Sequence, residues 1–258
     1  MGTQDLSKMG AARVSIESID GVDCVLKQGA SPVEVGFYQY AAPNLVGVNS
    51  PELLKADGNC LYIEYIPHQI PLSELRMERA LYAQLASLHR SDYVPTFTLK
   101  NHQWSVAETE LALQKLNLPS GLESSVKRIQ SLSSVIFDCD SLISGDSNDG
   151  NWGRKNSGEL VLFDWERFGY GSPAIDLAPL VQGLGHIPEY KRIIDQYTQH
   201  NSQYPGAELL KHLVIAKCWI IVEVVNILSD REKPDLPTYI NWYKANIPKW
   251  LDSVEGVL

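Results

Sequence analysis

Near residue 67 the hydrophobic period of this 258-residue chain changes, and that change limits the folds open to it more than any other feature. Before it, apolar and polar residues alternate, as a strand with one buried face requires; after it, apolar residues recur at helical spacing. Residues 13–27 (RVSIESIDGVDCVLK) alternate and break at Asp20-Gly21, which predicts two antiparallel strands joined by a turn. Beyond Gly-Ala-Ser-Pro, the stretch from Val33 to Ala42 places Val33, Phe37, Tyr40 and Ala41 on one helical face. Two more strands are expected around Glu52–Lys55 and Cys60–Tyr65, about the turn Asp57-Gly58-Asn59. Pro67 and Pro71 then punctuate the chain. Ser73–Arg90 reads as a helix capped by Ser73, Val106–Leu116 and Leu122–Leu132 as two more, and the chain after residue 175 as helical. The expectation is an α+β protein with a mixed N-terminal lobe over 1–67, a small antiparallel sheet with one helix. A larger, mainly helical C-terminal lobe over 68–258 follows.

Composition narrows the function. With 44% hydrophobic and 21% charged residues the chain has the make-up of a folded globular protein. A net charge of −9 opposes a sequence-independent nucleic-acid binder, which needs a basic face, and a polybasic membrane anchor. It suits a solvated surface and tolerates a cationic substrate. Cys24, Cys60, Cys139 and Cys218 are scattered singly, with no metal-ligand spacing, and read as reduced thiols. MGTQDLSKMG lacks the apolar run of a signal peptide and fits the myristoylation pattern poorly. Leu213–Leu228 is interrupted by Lys217 and Glu223 and reads as a buried helix rather than a membrane span. A cytoplasmic protein without nucleic-acid or membrane partners is expected.

The chemistry concentrates in residues 142–178, LISGDSNDGNWGRKNSGELVLFDWERFGYGSPAIDLA. Leu142-Ile143 leads into a Ser-Gly-Asp turn and a loop of small polar residues holding Asp146 and Asn151. Asn156-Ser157-Gly158 signals a tight turn, so Trp152–Lys155 and Glu159–Phe163 should pair as a hairpin. Folding back about that turn brings Asp164 to within about two residues of Asn151, roughly 7 Å along the strand. A few oxygen ligands suit magnesium, which completes its shell with water and substrate phosphates. Asp146 is then left to accept a proton from an attacking hydroxyl. The Asp-x4-Asn spacing alone is common, and a loop aspartate beside an asparagine is more often a turn former.

In order and spacing the segment resembles the catalytic core of the aminoglycoside phosphotransferase and choline kinase superfamily, which has a two-lobed protein-kinase-like fold. The matching residues are Ser144-Gly145-Asp146 with Asn151, then Leu162-Phe163-Asp164-Trp165-Glu166, then Gly171-Ser172-Pro173 with Asp176-Leu177-Ala178. The resemblance implies Asp146 as catalytic base, Asn151 and Asp164 as ligands of Mg2+, ATP as co-substrate and Asp176 as a structural brace. Ser144 and Asn148 stand where the family usually has histidines.

Kinases place a sheet lysine against the nucleotide phosphates and hold it with a helix glutamate. By resemblance that pair is Lys27, at the end of Cys24-Val25-Leu26, and Glu34, in a Glu-x2-Phe-Tyr pattern. The alternative is an exposed strand-end lysine and a glutamate favoured by a helix N-terminus. A phosphate-covering loop falls near residues 9–14 with Gly10 as its single glycine. Leu61–Pro67 resembles the strand and hinge that bind adenine through backbone groups, with Glu64 to Ile66 as the hinge and an edge strand as the other reading. Leu85-Ala86-Ser87-Leu88-His89 matches a family helix end, where His89 is structural.

The acceptor of this family sits between the catalytic loop and the C-terminal helices. Trp219 and Glu223 share a face of the helix over Glu208–Leu228, where they would receive a cationic amine; the commoner reading is a core tryptophan and a solvated glutamate. Trp242, Tyr243 and Trp250 read as packing residues. The function implied is transfer of the ATP γ-phosphate to a hydroxyl of an amino-alcohol, sugar or aminoglycoside-like molecule. The alternative is a nucleotide-binding module with weak or no catalysis. Only eleven residues separate Asp164 from Asp176, too few for the platform a protein-directed kinase needs.

Overall fold

The structure, a computed structural model, describes residues 12–19 and 21–258. Residues 9–11 of the expected phosphate-covering loop and Asp20 of the first turn lie outside them. Two compact units make up the chain: the described residues of 1–101 with 141–170, and 102–140 with 171–258. Compactness thus groups the first long helix and the Asp146 segment with the sheet, where the sequence reading draws its line at 67.

In the first unit, alternation produces strands β1 (Arg13–Ile19), β2 (Val22–Gln28), β3 (Leu53–Asp57) and β4 (Cys60–Glu64). They form an antiparallel sheet in the order β1-β2-β4-β3, with Lys27 opposite Leu61. Gly21 and Gly58, at φ +82° and +57°, take the left-handed turns that a side chain would strain.

Between the hairpins lies α1 (Pro32–Gly36), capped by Ser31, whose hydroxyl accepts the Glu34 amide at 3.2 Å. The helix continues as a π-helix over Phe37–Ala41, where the Ala42 amide reaches back five residues to the Phe37 carbonyl. That wider turn corrects the expected face. Tyr38 is buried at 2% exposure, whereas Tyr40 is half exposed, because one extra residue per turn rotates the following side chains.

The helix expected over 73–90 is in fact broken. A short α2 (Leu72–Leu75) follows β5 (His68–Gln69) and starts at Pro71, so Ser73 lies inside it and does not cap it. The chain then turns at Met77 and restarts as α3 (Arg79–His89). The Tyr82 hydroxyl takes the Arg76 carbonyl at 2.9 Å and so occupies an acceptor that a continuous helix would use.

The remaining strands are β6 (Leu142–Ile143), β7 (Trp152–Arg154), β8 (Leu160–Leu162) and β9 (Gly169–Tyr170). β7 pairs with both β5 and β8, and β6 with β9. Gly153 is where β5 crosses: a β-carbon there would lie 2.7 Å from Ile66 Cγ2 and 3.0 Å from the His68 carbonyl oxygen.

The second unit is helical among its described residues: α4 (Val106–Leu116), α5 (Ser120–Ser131), α6 (Ser134–Phe137), α7 (Pro173–Leu177), α8 (Ile187–Thr198), α9 (Gly206–Asp230) and α10 (Leu236–Val254). α4 opens on a capping box in which Ser105 and Glu108 satisfy each other's backbone amides. α9 is long and apolar enough to cross a membrane, yet α4, α5, α7, α8 and α10 pack around it. A helix buried along most of its length needs no continuous polar face. Its Lys217, buried, donates to the carbonyls of Ala178 and Val181 at 3.0 and 2.8 Å. Tyr243 and Trp250 are buried as expected; Trp242 is 42% exposed and lies across Gly183, whose missing side chain makes room for the indole.

Candidate active site

Lys27 points from the end of β2 into the first unit, where Nζ lies 2.7 Å from Glu34 Oε1 and 2.6 Å from Asp164 Oδ1. One ammonium thus joins a strand, a helix and a loop aspartate 137 residues away. Packing makes this possible. The Trp165 ring stacks on Phe37 at 3.9 Å with 9° between planes, and Phe168 meets both rings edge-on. All three are fully buried, so the residue after Asp164 is anchored to the turn after Glu34.

The hairpin does the rest. Its turn is Asn156-Ser157-Gly158, with Gly158 at φ +86°, and Trp152 pairs with Leu162. The Phe163 amide donates to the Asn151 carbonyl at 2.9 Å, so Asp164 stands one residue past the partner of Asn151. Asp164 takes φ +65°, a left-handed conformation uncommon outside glycine but tolerated by aspartate, and it turns the chain out of β8. Asn49 and Gln84 tie the hairpin to the rest of the unit: Gln84 Oε1 accepts the Asn49 amide, Gln84 Nε2 donates to the Leu160 carbonyl, and the Leu162 amide donates to the Asn49 carbonyl.

Asp146 sits in the loop between β6 and β7. Gly145 precedes it at φ +76°, and the Asp146 amide donates to Ser144 Oγ at 3.3 Å. Asn148 Nδ2 donates to Asp146 Oδ1 at 2.7 Å, and Asn151 Nδ2 to the Asp146 carbonyl at 2.8 Å. The last contact turns the asparagine amide inward and leaves its Oδ1 as the ligand-type oxygen of that side chain.

Glu34, Asp164 and Glu166 each bring a carboxylate oxygen within 4.8 Å of the others, a grouping able to hold a cation. Glu34 is wholly buried, and its Oε2 has no hydrogen-bond partner among the described residues. Glu166 is the member of this group that the sequence pattern assigns no role, and its spacing of two from Asp164 is the one local signal for it. Burial pushes Glu34 up from its ordinary 4.5 to about 7, against the opposing pull of Lys27. Burial also pulls Lys27 down, but Glu34 and Asp164 outweigh it and the ammonium rises to about 12. Glu166 is raised by burial and by the charge of Asp164. Because the folded pKa of Glu34 exceeds its unfolded value, its contribution to stability is present below about 4.5 and is lost as pH rises through about 7. The stability of wild type minus that of Glu34→Gln, from urea unfolding, is therefore expected to fall over this window, with a slope approaching about 1.4 kcal/mol per pH unit. A flat difference would remove the buried-proton account.

At the expected hinge, Glu64 ends β4, its amide donating to the Glu52 carbonyl and its carboxylate 2.7 Å from Lys155 Nζ. The Glu64 side chain is thus engaged with the hairpin. Ile66 lies against Gly153. In the second unit Trp219 is buried, with Phe137 and His102 edge-on to it, as the core reading expects. Glu223 is half-buried on α9, and Asp176 is wholly buried on α7.

A four-stranded antiparallel sheet with one helix, a sheet lysine paired to that helix and a helical remainder place the fold in the protein-kinase-like class. Solved structures agree. A choline/ethanolamine kinase family protein from Mesorhizobium loti superposes with TM-score 0.68 at 18% identity, over 99% of this chain and 90% of that one. A macrolide 2′-phosphotransferase from Brachybacterium faecium gives 0.65 at 14%, over 93% and 90%. A choline kinase from Cryptosporidium parvum Iowa II gives 0.65 at 11%, over 100% and 91%. Comparison with curated protein sequences finds no match. The sequence model of the phosphotransferase enzyme family (APH) matches residues 27–210, and the chain belongs to that family. It is an enzyme of the small-molecule kinase class.

Proposed function

We propose that this enzyme transfers the γ-phosphate of ATP, presented as its magnesium complex, to a hydroxyl group of a small molecule such as an amino-alcohol, a sugar or an aminoglycoside-like compound. The observation that carries the reading is the Lys27 ammonium held between Glu34 and Asp164, a charged, donor-rich head fixed beside carboxylates. A phosphate oxygen is a natural third partner for it. Glu34 fixes the lysine in place, and the stacked Phe37–Trp165 pair keeps helix and loop together.

The donor set fits magnesium: Asn151 Oδ1 and the Asp164 carboxylate are hard oxygen ligands, with the Glu166 and Glu34 carboxyl groups close by. When bound, the ion neutralises phosphate charge and orients the transferred group. Asp146 takes the proton of the acceptor hydroxyl as the oxygen attacks phosphorus, and the turn from Ser144 to Asn151 holds it for that task. Backbone groups from Glu64 to Ile66 receive the base, the Glu64 carboxylate being occupied by Lys155. Glu223 is the acidic residue proposed to favour a cationic acceptor.

The test is a mass-spectrometric screen of the enzyme with ATP and magnesium against amino-alcohols, sugars, nucleosides and aminoglycosides. A gain of one phosphoryl group on one class, dependent on magnesium, is the expected result. ATP binding without product across the whole panel would replace transfer by a binding role.

A further inference from the structure

We infer that Asn148 is a positioning residue for the base, fixing the rotation of the Asp146 carboxylate; this rests on the reading of Asp146 as base. The amide of Asn148 is engaged at both ends. Its Oδ1 accepts the Gly150 amide at 2.8 Å, capping the 3-10 turn Asp149–Asn151, while its Nδ2 donates to Asp146 Oδ1 at 2.7 Å. The two ends of a planar amide have a fixed relation, so pinning the oxygen aims the nitrogen. Gly150 leaves room for this arrangement, since a β-carbon there would lie 2.8 Å from Asn148 Oδ1.

The consequence is chemical. Rotation about the last bond of an aspartate is broad, and an unheld carboxylate would spread its two oxygens over many directions. A base must meet the hydroxyl within hydrogen-bond reach, and an error near 1 Å costs about 100-fold in rate. Asn148 holds one oxygen and thereby sets the direction of the other. Asn151 and Ser144 hold the Asp146 backbone from its carbonyl and amide sides, so backbone and carboxylate are located by different partners. The position at which the family usually carries a histidine therefore supplies a donor to the base through a side chain that does not titrate.

The experiment compares Asn148→Ala, Asn148→Asp and Asp146→Asn with wild type, using ATP-magnesium and the acceptor that turns over in the screen. Asn148→Asp keeps an oxygen for the Gly150 amide but removes the donor and places a second carboxylate beside Asp146. Expected is a fall in kcat of about 10- to 100-fold in both Asn148 variants, with KM for nucleotide and acceptor within about threefold and an unchanged Tm in Asn148→Asp, which keeps the cap. A wild-type kcat in Asn148→Asp, beside an inactive Asp146→Asn, would overturn the role of Asn148 alone. Full activity in Asp146→Asn would remove the base assignment itself. A lowered Tm with kcat and both KM values altered together in the two Asn148 variants would make the contact a merely structural turn and overturn the inference.

Discussion

Asp146→Asn is expected to lower phosphotransfer by about 100- to 10,000-fold, the range that general-base removal produces. In barrier terms that is about 3–5 kcal/mol. The substitution is isosteric. An asparagine at 146 can turn its own oxygen toward Asn148 Nδ2, so the loop that carries Asn151 keeps its hydrogen bonds. Nucleotide and metal should therefore bind within about twofold of wild type, and the loss should fall on kcat. Initial rates with a saturating acceptor, set beside a thermal shift with ATP-magnesium, separate the two quantities. Turnover persisting in the variant would point to Asp149, exposed three residues further along the same loop, as the base instead.

Lys27→Met carries the largest expected effect on stability. It removes the ammonium between Glu34 and Asp164 and leaves a wholly buried carboxyl whose Oε2 already lacks a partner. Breaking a buried pair from one side costs about 3–5 kcal/mol, because the remaining charge keeps its desolvation penalty. Glu34 relieves part of this by holding a proton, being already pushed up to about 7 with the lysine present. The double variant Lys27→Met/Glu34→Leu removes both charges and should recover most of the lost stability, as apolar replacement of a buried pair usually does. Nucleotide turnover should stay lost in both, since the phosphate partner is gone. Urea midpoints at constant m report the first effect and initial rates the second. A double variant no more stable than the single one would show that shape, not charge, holds this corner together.

Much of the site was legible because its signals are local. Asn156-Ser157-Gly158 needs a left-handed glycine, and Gly158 supplies it, so the hairpin and the approach of Asp164 to Asn151 follow from a few adjacent residues. The first two strands, the Cys60 strand and α4 follow in the same way from period and turn chemistry. The Tyr38 face was not legible, because a π-turn shifts the helical phase by one residue and composition does not announce it. Nor was the break at Met77, beside which the Tyr82 hydroxyl, six residues on from Arg76, takes the Arg76 carbonyl. Trp242 packs across Gly183 yet stays 42% exposed; hydrophobicity alone does not say how much of a ring its neighbours cover.

The chain's own order of residues determined its class, most of its strands and turns, and which carboxylates and amides are the candidates for the chemistry. Each of those depends on side-chain type and on spacings of a few residues, which the backbone converts directly into shape. The resemblance already pairs Lys27 with Glu34; only the tertiary structure decided that Asp164 closes on the same ammonium and that Glu166 joins them. That convergence spans 137 residues, and it exists because β2 pairs in one register with β4 while Trp165 stacks on Phe37. Long-range burial, which no local pattern encodes, selects that single arrangement.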